Sequence, residues 1–431
     1  MMQSLRAIPA TILPKNTINI RLAIVCLASA SMGLSMALIS IAKLLLVLFG
    51  FAALLFLRRA PATDKPLAGL YTPIAVLTVL FAFAISMLWT VAPPADAWGS
   101  IAKYGKLILI VLMMLLIRDR REAMYALGAF LLAQVFLLAS SWMLFFHLPV
   151  PWATSNMALK EYAVFSSYLD QGIMAAVLGA VCWHLRELAP GRFGRHVAVF
   201  IAIAASFNVL FVLGGRSGHV VAIALLSLAI MWQLPRKYRA GIVLLPFVLV
   251  LLLFFSSTKV RERLTMVKTE VDSYVAQTQI RTSSGIRLGL WVSAAQIIGE
   301  HPVAGAGIGS WSTEYNRIQR AKNPAHQDIP GNGNPHQEYL QWGVQLGIPG
   351  LLLLAGLMLS VLRDSLKMQP PYARAAQSAL AALAVACLFN SIIYDALIGD
   401  FFCLLIGLLL ALGLSKATGP VIAAPQREQP T

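Results

Sequence analysis

The sequence predicts an all-α polytopic membrane protein with about twelve transmembrane helices, and three observations carry this prediction. The 431 residues are 58% hydrophobic and 12% charged, whereas about 25% of the residues are charged in an average soluble domain. Twelve apolar stretches come close to the roughly 20 residues that a helix needs to cross a bilayer. Lysines and arginines concentrate in every second connection, as expected for connections that stay in the cytoplasm.

The predicted spans alternate in direction, starting from a cytoplasmic N-terminus. They lie at about residues 20–37, 40–57, 69–91, 102–117, 123–146, 169–185, 196–213, 218–234, 240–256, 347–362, 375–394 and 398–415. This count places both chain ends in the cytoplasm and keeps the first stretch as a membrane anchor. The formal net charge of +16 then reflects topology rather than nucleic-acid binding. The four cysteines lie in apolar stretches without metal-ligand spacing, so we expect core thiols.

The chain is expected to have three parts. Residues 1–256 hold nine transmembrane helices, and residues 347–431 hold three more and a cytoplasmic tail. Residues 257–346 form the only connection large enough for a small domain, which would be a helical periplasmic loop. The polar residues of greatest interest concentrate in this loop, so we expect catalytic residues there.

Two local patterns in the loop predict structure rather than chemistry. Residues 284–298 are typical of an amphipathic helix that Ser284 can cap. Its apolar face would be formed by Ile286, Leu290, Ala294 and Ile297. The Gly-x-Gly-x-Gly of residues 305–309 resembles a dinucleotide-binding sequence, but no predicted strand precedes it. Turn glycines are therefore the favoured interpretation.

His336 is the strongest candidate for a general base. Asn334 suits a helix N-cap, Pro335 suits the first helical position, and Gln337 completes a capping box. His336 would then lie in the first turn, where the positive helix end keeps the imidazole neutral. A neutral histidine beside the membrane is suited to accept a proton. The alternative is a histidine that only completes a helix start.

Two arginines are candidates for binding a diphosphate. Arg216 lies in a glycine-rich sequence where the seventh span meets the outside, and Arg287 lies on the predicted loop helix. Guanidinium groups bind phosphate oxygens bidentately, so two of them from separate segments can clamp a diphosphate. The alternative is structural pairing with a carboxylate, for which the available residues are Asp395, Asp400 and Glu338.

A catalytic metal is not expected. The loop holds His301, His326 and His336 with Asp328 and Glu338, but no His-Glu-x-x-His motif and no cysteine ligand. The sequence also carries no nucleotide-binding loop and no serine-hydrolase elbow.

These motifs together resemble the O-antigen ligase family. One part of the resemblance is Gly214-Gly215-Arg216-Ser217-Gly218 at an outer span end. The loop supplies the rest: Arg287…Trp291, His301-Pro302, Gly305-x-Gly307-x-Gly309 and Asn334-Pro335-His336-Gln337-Glu338-Tyr339-Leu340, followed by Gly343, Gly347 and Gly350. The motifs cover roughly residues 210–350, and the other spans match in number and hydropathy only. In the family the histidine is often followed by Asn or Ser, whereas Gln337 follows it here.

The resemblance implies a glycosyltransferase of GT-C-like architecture in the bacterial inner membrane. Such a ligase moves an O-antigen glycan from undecaprenyl diphosphate to a sugar hydroxyl of the lipid A core, at the periplasmic face. The diphosphate activates the donor, so no nucleotide, metal or other cofactor is expected. His336 would take the hydroxyl proton, Arg216 and Arg287 would stabilise the leaving diphosphate, and the anomeric centre would invert.

Other residues in the motifs around His336, Arg216 and Arg287, and two lysines, are candidates for substrate contacts. They are Gly215, Ser217, Trp291, Asn334, Gln337, Lys103 and Lys106. The two lysines, with Arg261 and Arg263, are placed to meet lipid phosphates, and solvation or headgroup anchoring is the alternative.

Three other functions remain open at this point. An O-antigen polymerase or a protein O-oligosaccharyltransferase would share the chemistry and differ only in its acceptor. A transporter of lipid-linked sugars is a different class, but transporters place charged groups near mid-membrane, whereas here they cluster at span ends.

Overall fold

The computed structural model describes residues 15–56, 67, 69–235, 237–238, 245–256, 258, 261–262, 265–266, 283–323, 328 and 333–415, and within them the regular structure is entirely helical. The α-helices are, in chain order, α1 (Lys15–Ser31), α2 (Met36–Phe56), α3 (Tyr71–Ile85), α4 (Pro94–Tyr104), α5 (Ile108–Leu116), α6 (Arg120–Phe145), α7 (Ala158–Glu161), α8 (Tyr168–Leu185), α9 (Gly191–Phe207), α10 (Arg216–Gln233), α11 (Leu245–Ser256), α12 (Ser283–Glu300), α13 (Trp311–Lys322), α14 (Glu338–Ser365), α15 (Pro370–Ala386) and α16 (Ala396–Leu414). A π-helical turn, Asn208–Val212, follows α9.

The helices agree with the hydropathy of the sequence. Helical segments cover most of the described part of each predicted apolar stretch. Within the described residues, eight segments are long and apolar enough to cross a membrane: Met36–Ala53, Tyr71–Leu88, Pro94–Leu116, Arg120–Phe145, Gly191–Val212, Arg216–Gln233, Glu338–Ser365 and Ala396–Leu414. The all-α polytopic membrane fold is therefore confirmed, while the count of twelve spans stays a prediction.

Contacts between helix ends fit the predicted alternation of direction. The guanidinium of Arg120, at the start of α6, donates to the carbonyl of Ser415, just after α16, over 2.8 Å. The carboxylate of Asp364, near the end of α14, accepts from the backbone N–H of Thr72, at the start of α3, over 2.8 Å. In each contact, the beginning of one helix meets the end of another helix. The predicted topology places these two helix ends on the same side of the membrane, so the contacts agree with it. Which side faces the cytoplasm stays a prediction.

The loop contains the amphipathic helix that the sequence predicts. Helix α12 begins at Ser283, one residue before the predicted cap Ser284, so that residue lies inside the helix. Three residues of the predicted apolar face are buried, whereas Ile286 is exposed. The buried cluster beneath the loop contains Leu290, Ala294, Ile297, Trp311, Ile318 and Val344. The predicted domain boundaries are untested, and most of residues 257–282 lies outside the described part of the chain.

The Gly-x-Gly-x-Gly sequence forms a turn that docks the loop onto the membrane helices. The backbone N–H of Gly307 donates to the carbonyl of Gln345 in α14 over 3.0 Å. The carbonyl of Ala306 accepts from the N–H of Val91 over 3.1 Å. Gly307 has φ +87°, and a side chain there would collide with the backbone of Thr90. The interpretation as turn glycines is confirmed.

The start of α14 differs from the sequence prediction. Helix α14 begins at Glu338, and its N-cap is Gln337, whose side-chain oxygen accepts from the N–H of Leu340 over 2.6 Å. Asn334 instead accepts from the N–H of His336 over 2.8 Å, which closes a local turn. The capping box based on Asn334 is therefore wrong, because Gln337 competes as a cap and Asn334 closes the preceding turn. His336 lies before the helix rather than in its first turn.

The carboxylate of Glu338 is fully buried and joins three parts of the chain. One oxygen, Oε1, accepts from the hydroxyl of Tyr104 in α4 over 3.3 Å and from Nε1 of Trp342 over 2.8 Å. The other oxygen accepts from the backbone N–H groups of Ile393 and Tyr394 over 2.8 Å and 3.2 Å. A buried carboxylate is costly unless donors surround it, and this one has four of them.

The residues between α15 and α16, 387–395, are called the α15–α16 turn below. The turn donates to the Glu338 carboxylate as described above. In addition, the carbonyl of Cys387 in the turn accepts from the N–H of Glu338 over 3.0 Å. The buried ammonium of Lys106 donates to the carbonyl of Asp395 over 2.6 Å. This turn is thus fixed to the start of α14 and to the segment between α4 and α5.

We expect Glu338→Gln to destabilise the fold, because in either orientation the NH2 group of the amide faces buried donors, those of Tyr104 and Trp342 or those of the α15–α16 turn. Each unsatisfied buried group costs about 1–3 kcal/mol. Thermal unfolding of the protein in detergent measures the effect. The matched control is Glu300→Gln, which changes an exposed carboxylate and should alter the free energy of unfolding by less than about 1 kcal/mol. Equal unfolding temperatures for the two variants would contradict this role of Glu338.

Candidate active site

His336 is presented by a strained turn immediately before α14. Its φ is +53°, a left-handed conformation that residues other than glycine seldom adopt. His336 is exposed as a residue, although its ring is partly desolvated, whereas the neighbouring Pro335 is buried. Backbone strain of this kind persists only where surrounding contacts enforce it, and it occurs often at functional sites.

Two contacts besides the Asn334 bond fix this turn. Nε1 of Trp291, on α12, donates to the carbonyl of Pro335 over 3.1 Å. Gln337 and Glu338 anchor the other side of His336 through the α14 cap and the α15–α16 turn. Trp291, Asn334 and Gln337 therefore all position the His336 backbone, and their predicted substrate contacts stay predictions.

Arg287 is connected to α10 through one asparagine. The Arg287 guanidinium, half-buried on α12, donates to Oδ1 of Asn390 over 3.3 Å. Nδ2 of Asn390 in turn donates to the buried hydroxyl of Ser217 over 3.1 Å. Ser217 follows Arg216, the first residue of α10. The structure thus brings together the segments of both predicted arginines at the α15–α16 turn.

The glycine before Arg216 allows close packing at the same place. Gly215 is the N-cap residue of α10, and a Cβ there would lie 3.1 Å from the carbonyl oxygen of Tyr168 at the start of α8. A larger residue at 215 would push the beginnings of α8 and α10 apart. Gly215 has this structural function here, and its predicted substrate contact stays a prediction.

The pKa of His336 is lowered from its usual value. Desolvation of the ring is the main cause, and the positive charge of Arg287 acts in the same direction. Both effects disfavour the imidazolium and favour the neutral ring, which has a lone pair available for a proton. The direction of the shift agrees with the expected neutral ring, but partial desolvation and Arg287 cause it rather than a position in the first helical turn.

Lys103 and Lys106 lie at the α15–α16 turn. The ammonium of Lys103 lies 3.8 Å from the ring centre of Tyr394, and its side chain is otherwise exposed. Lys106 is buried and donates to backbone carbonyls. Desolvation raises the pKa of Asp395, although both lysines oppose this shift. Their predicted contacts with substrate or lipid phosphate stay predictions, as does that of Arg261, which is exposed, while Arg263 lies outside the described residues.

Two of the carboxylates considered as partners for the arginines have other contacts. Glu338 accepts from Tyr104, Trp342 and two backbone N–H groups, as described above. Asp400, which is buried in α16, forms an ion pair with Lys43 of α2 over 2.7 Å.

A group of possible metal ligands lies elsewhere in the loop. Glu300, His301 and Glu314 have ligand atoms within 4.8 Å of one another, at the far end of α12 from Arg287. Arg317 forms ion pairs with both carboxylates, including one of 2.7 Å to Glu314. A guanidinium thus already pairs with both acids. His326, another histidine considered for metal binding, lies outside the described residues.

Sequence reasoning missed the positioning residue Asn390 and treated Glu338 only as a possible arginine partner. Both residues are buried, and both act through partners distant in the sequence. The available signal was weak: each is a polar residue at the edge of an apolar stretch, where an unpaired polar group is costly.

Comparison with known proteins agrees with this arrangement. A family model described as O-antigen ligase matches residues 200–355, from α9 into α14, and this segment contains Arg216, Arg287 and His336. No curated protein matches the chain. Members of the family are glycosyltransferase-like ligases and polymerases that use lipid-linked glycans. The resemblance to the O-antigen ligase family is therefore confirmed over residues 200–355.

Proposed function

We propose that this protein transfers a glycan from undecaprenyl diphosphate to a sugar hydroxyl of the lipid A core, at the periplasmic face of the inner membrane. The observation that carries the proposal is the link from Arg287 through Asn390 to Ser217, together with the effect of the Arg287 charge on His336. This link supports a site in which one base acts with two cations.

The residues have complementary roles in one displacement reaction. His336 accepts the proton of the acceptor hydroxyl as the oxygen attacks the anomeric carbon of the donor. The bond from that carbon to the diphosphate oxygen breaks, and the diphosphate leaves with the bonding electrons. Arg216 and Arg287 neutralise the developing negative charge. A single attack from the opposite face inverts the anomeric configuration.

Helix N-termini add to the anion-binding character of the site. Helix α10 begins at Arg216, next to the Ser217 bond to the α15–α16 turn, and helix α16 begins at Ala396, directly after that turn. The N-terminus of a helix carries partial positive charge and free backbone N–H groups. These features favour a diphosphate leaving group and require neither a nucleotide nor a metal.

The test is transfer by purified protein in detergent, with undecaprenyl-diphosphate-linked glycan and lipid A core but no nucleotide or added metal. The expected product is core carrying the glycan, formed equally in EDTA. Longer lipid-linked chains without modified core would instead identify a polymerase, and a glycosylated protein acceptor would identify an oligosaccharyltransferase. Failure to form any of these products would favour transport of the lipid-linked sugar. Loss of activity in EDTA, restored by a divalent ion, would contradict metal independence.

Replacement of either arginine should impair use of the donor. We expect Arg216→Ala and Arg287→Ala each to reduce the rate of transfer about 10²–10³-fold, as for loss of one charge-stabilising group. Lysine should restore only part of the rate, because it lacks the bidentate geometry. Single-turnover transfer at several donor concentrations measures this, with Arg320→Ala as an exposed control on α13. Full activity of both lysine variants would contradict bidentate binding.

Asn390 should act through Arg287. We expect Asn390→Ala to reduce transfer about 10-fold, because Arg287 loses a hydrogen-bond partner. In the Arg287→Ala background the same change should have little further effect, since the partner is already absent. A double-mutant cycle on transfer rates measures the coupling, with the exposed Asn323→Ala as the control. Independent, multiplicative losses would show that Asn390 does not position Arg287.

The pH dependence should report on His336. Transfer should fall as the pH decreases through the pKa of His336, with a midpoint below the usual histidine value of about 6.5. Removal of the neighbouring charge in Arg287→Gln makes the imidazolium easier to form, so the midpoint should move to higher pH. The pH–rate profiles of both proteins measure the shift, and Arg320→Gln is the control. An unchanged midpoint in Arg287→Gln would contradict the coupling.

A further inference from the structure

A stripe of exposed apolar side chains runs along one face of α3 and its continuation. After α3 the chain forms a 3₁₀ turn, Ser86–Leu88, so the helical course extends to Leu88. Exposed side chains recur in this segment every three or four residues, which is the spacing of one helix face. They are Ile74, Leu77, Phe81, Ile85 and Leu88. Because Tyr71–Leu88 is long and apolar enough to cross a membrane, this stripe is suited to face lipid.

The loop continues this stripe at Val303. Leu88 is 82% exposed and Val303 is 79% exposed, although both side chains are apolar. Their neighbours join the two segments, since Nε1 of Trp89 donates to the carbonyl of Ala304 over 3.1 Å. Val303 therefore lies near the end of the lipid-facing stripe, although it belongs to the loop.

Hydrogen bonds on both sides of Val303 hold it in this position. The carbonyl of Pro302 accepts from the N–H of Ile348 in α14 over 2.8 Å. This bond forms where the left-handed Gly347, with φ +69°, interrupts the helical backbone of α14. The carbonyl of Ala304, on the other side, accepts from Trp89. The exposed side chain is thus presented by a turn that is fixed to both α14 and the end of the α3 segment.

Charged groups near Val303 limit how deeply this part of the loop can enter lipid. Glu300, three residues earlier, forms an ion pair with Arg317 of α13. Charged groups are costly in hydrocarbon, so this pair has to stay at the level of the head groups or in water. Trp89 is 40% exposed and combines an apolar ring with a hydrogen-bonded N–H, which is typical of the membrane–water interface. The composition therefore favours a shallow contact with the bilayer.

We propose that Leu88, Trp89 and Val303 form a membrane-contact surface, through which the loop enters the interfacial layer of the bilayer. The partner is lipid, because the surface is continuous with the lipid-facing stripe of α3. The contact fixes the height of the loop at the membrane, and the bond from Ile348 to Pro302 transmits this height to α14. It does not depend on the proposed reaction.

Fluorescence quenching of the full-length protein in lipid nanodiscs tests this contact. A polarity-sensitive fluorophore on Val303→Cys should be quenched by a nitroxide attached to the lipid close to its head group. It should also emit at a shorter wavelength than the same fluorophore on Arg320→Cys, an exposed position of α13. The Arg320→Cys label should be quenched by iodide in the water and not by lipid nitroxides. Wild type, whose four cysteines are buried or partly buried, measures the background labelling.

A label on Leu77→Cys calibrates the depth. Leu77 lies about 16 Å from Leu88 along the helical course, or about half of the hydrocarbon thickness. Its label should therefore be quenched most by a nitroxide at the end of the acyl chain. A Val303→Cys label that is quenched by iodide and by neither lipid nitroxide would overturn the inference. Protection of that label from iodide and from both nitroxides would also overturn it, since a second protein chain would then cover the surface.

Discussion

The buried carboxylate of Glu338 is the constraint on which the arrangement of the site depends. It lies at the first position of α14, and its four donors come from α4, from α14 itself and from the α15–α16 turn. Because a buried carboxylate without donors is costly, these three parts of the chain have to meet around it. The position of the turn then fixes Asn390, and through it the segments that carry Arg287 and Arg216.

This arrangement separates the residues that position the site, called the support, from the proposed reactive groups. The support consists of Glu338, Asn390 and their hydrogen-bond partners other than Arg287. The residues of the support are buried and hydrogen-bonded, whereas the His336 side chain is exposed and its backbone is held in a left-handed conformation. The loop supplies His336 and Arg287, and the membrane helices supply Arg216 and the α15–α16 turn. In the proposed reaction, the acceptor hydroxyl would approach from the loop and the lipid-linked donor from the bilayer. The same division explains why neither part alone would form the proposed site.

The membrane fold and the main polar residues could be predicted from the sequence, because each of them produces a pattern among residues that are close together in the chain. Apolar stretches follow from the thickness of the membrane, and Arg216, Arg287 and His336 stand out within glycine-rich or loop sequences. The contacts of Glu338 and Asn390 could not be predicted, since their partners are remote in sequence. The start of α14 was misplaced because Asn334 and Gln337 are both able to cap a helix, and only tertiary contacts decide between them.

The most direct test of the account is single-turnover glycan transfer by purified His336→Ala protein, compared with wild type at saturating concentrations of both lipids. His301→Ala, a change at another exposed histidine of the loop, is the control. The account predicts that loss of the base slows transfer about 10²–10⁴-fold, while the protein remains folded and the control retains its activity. Transfer by His336→Ala within a few-fold of wild type would contradict it, since the proton would then leave through another group.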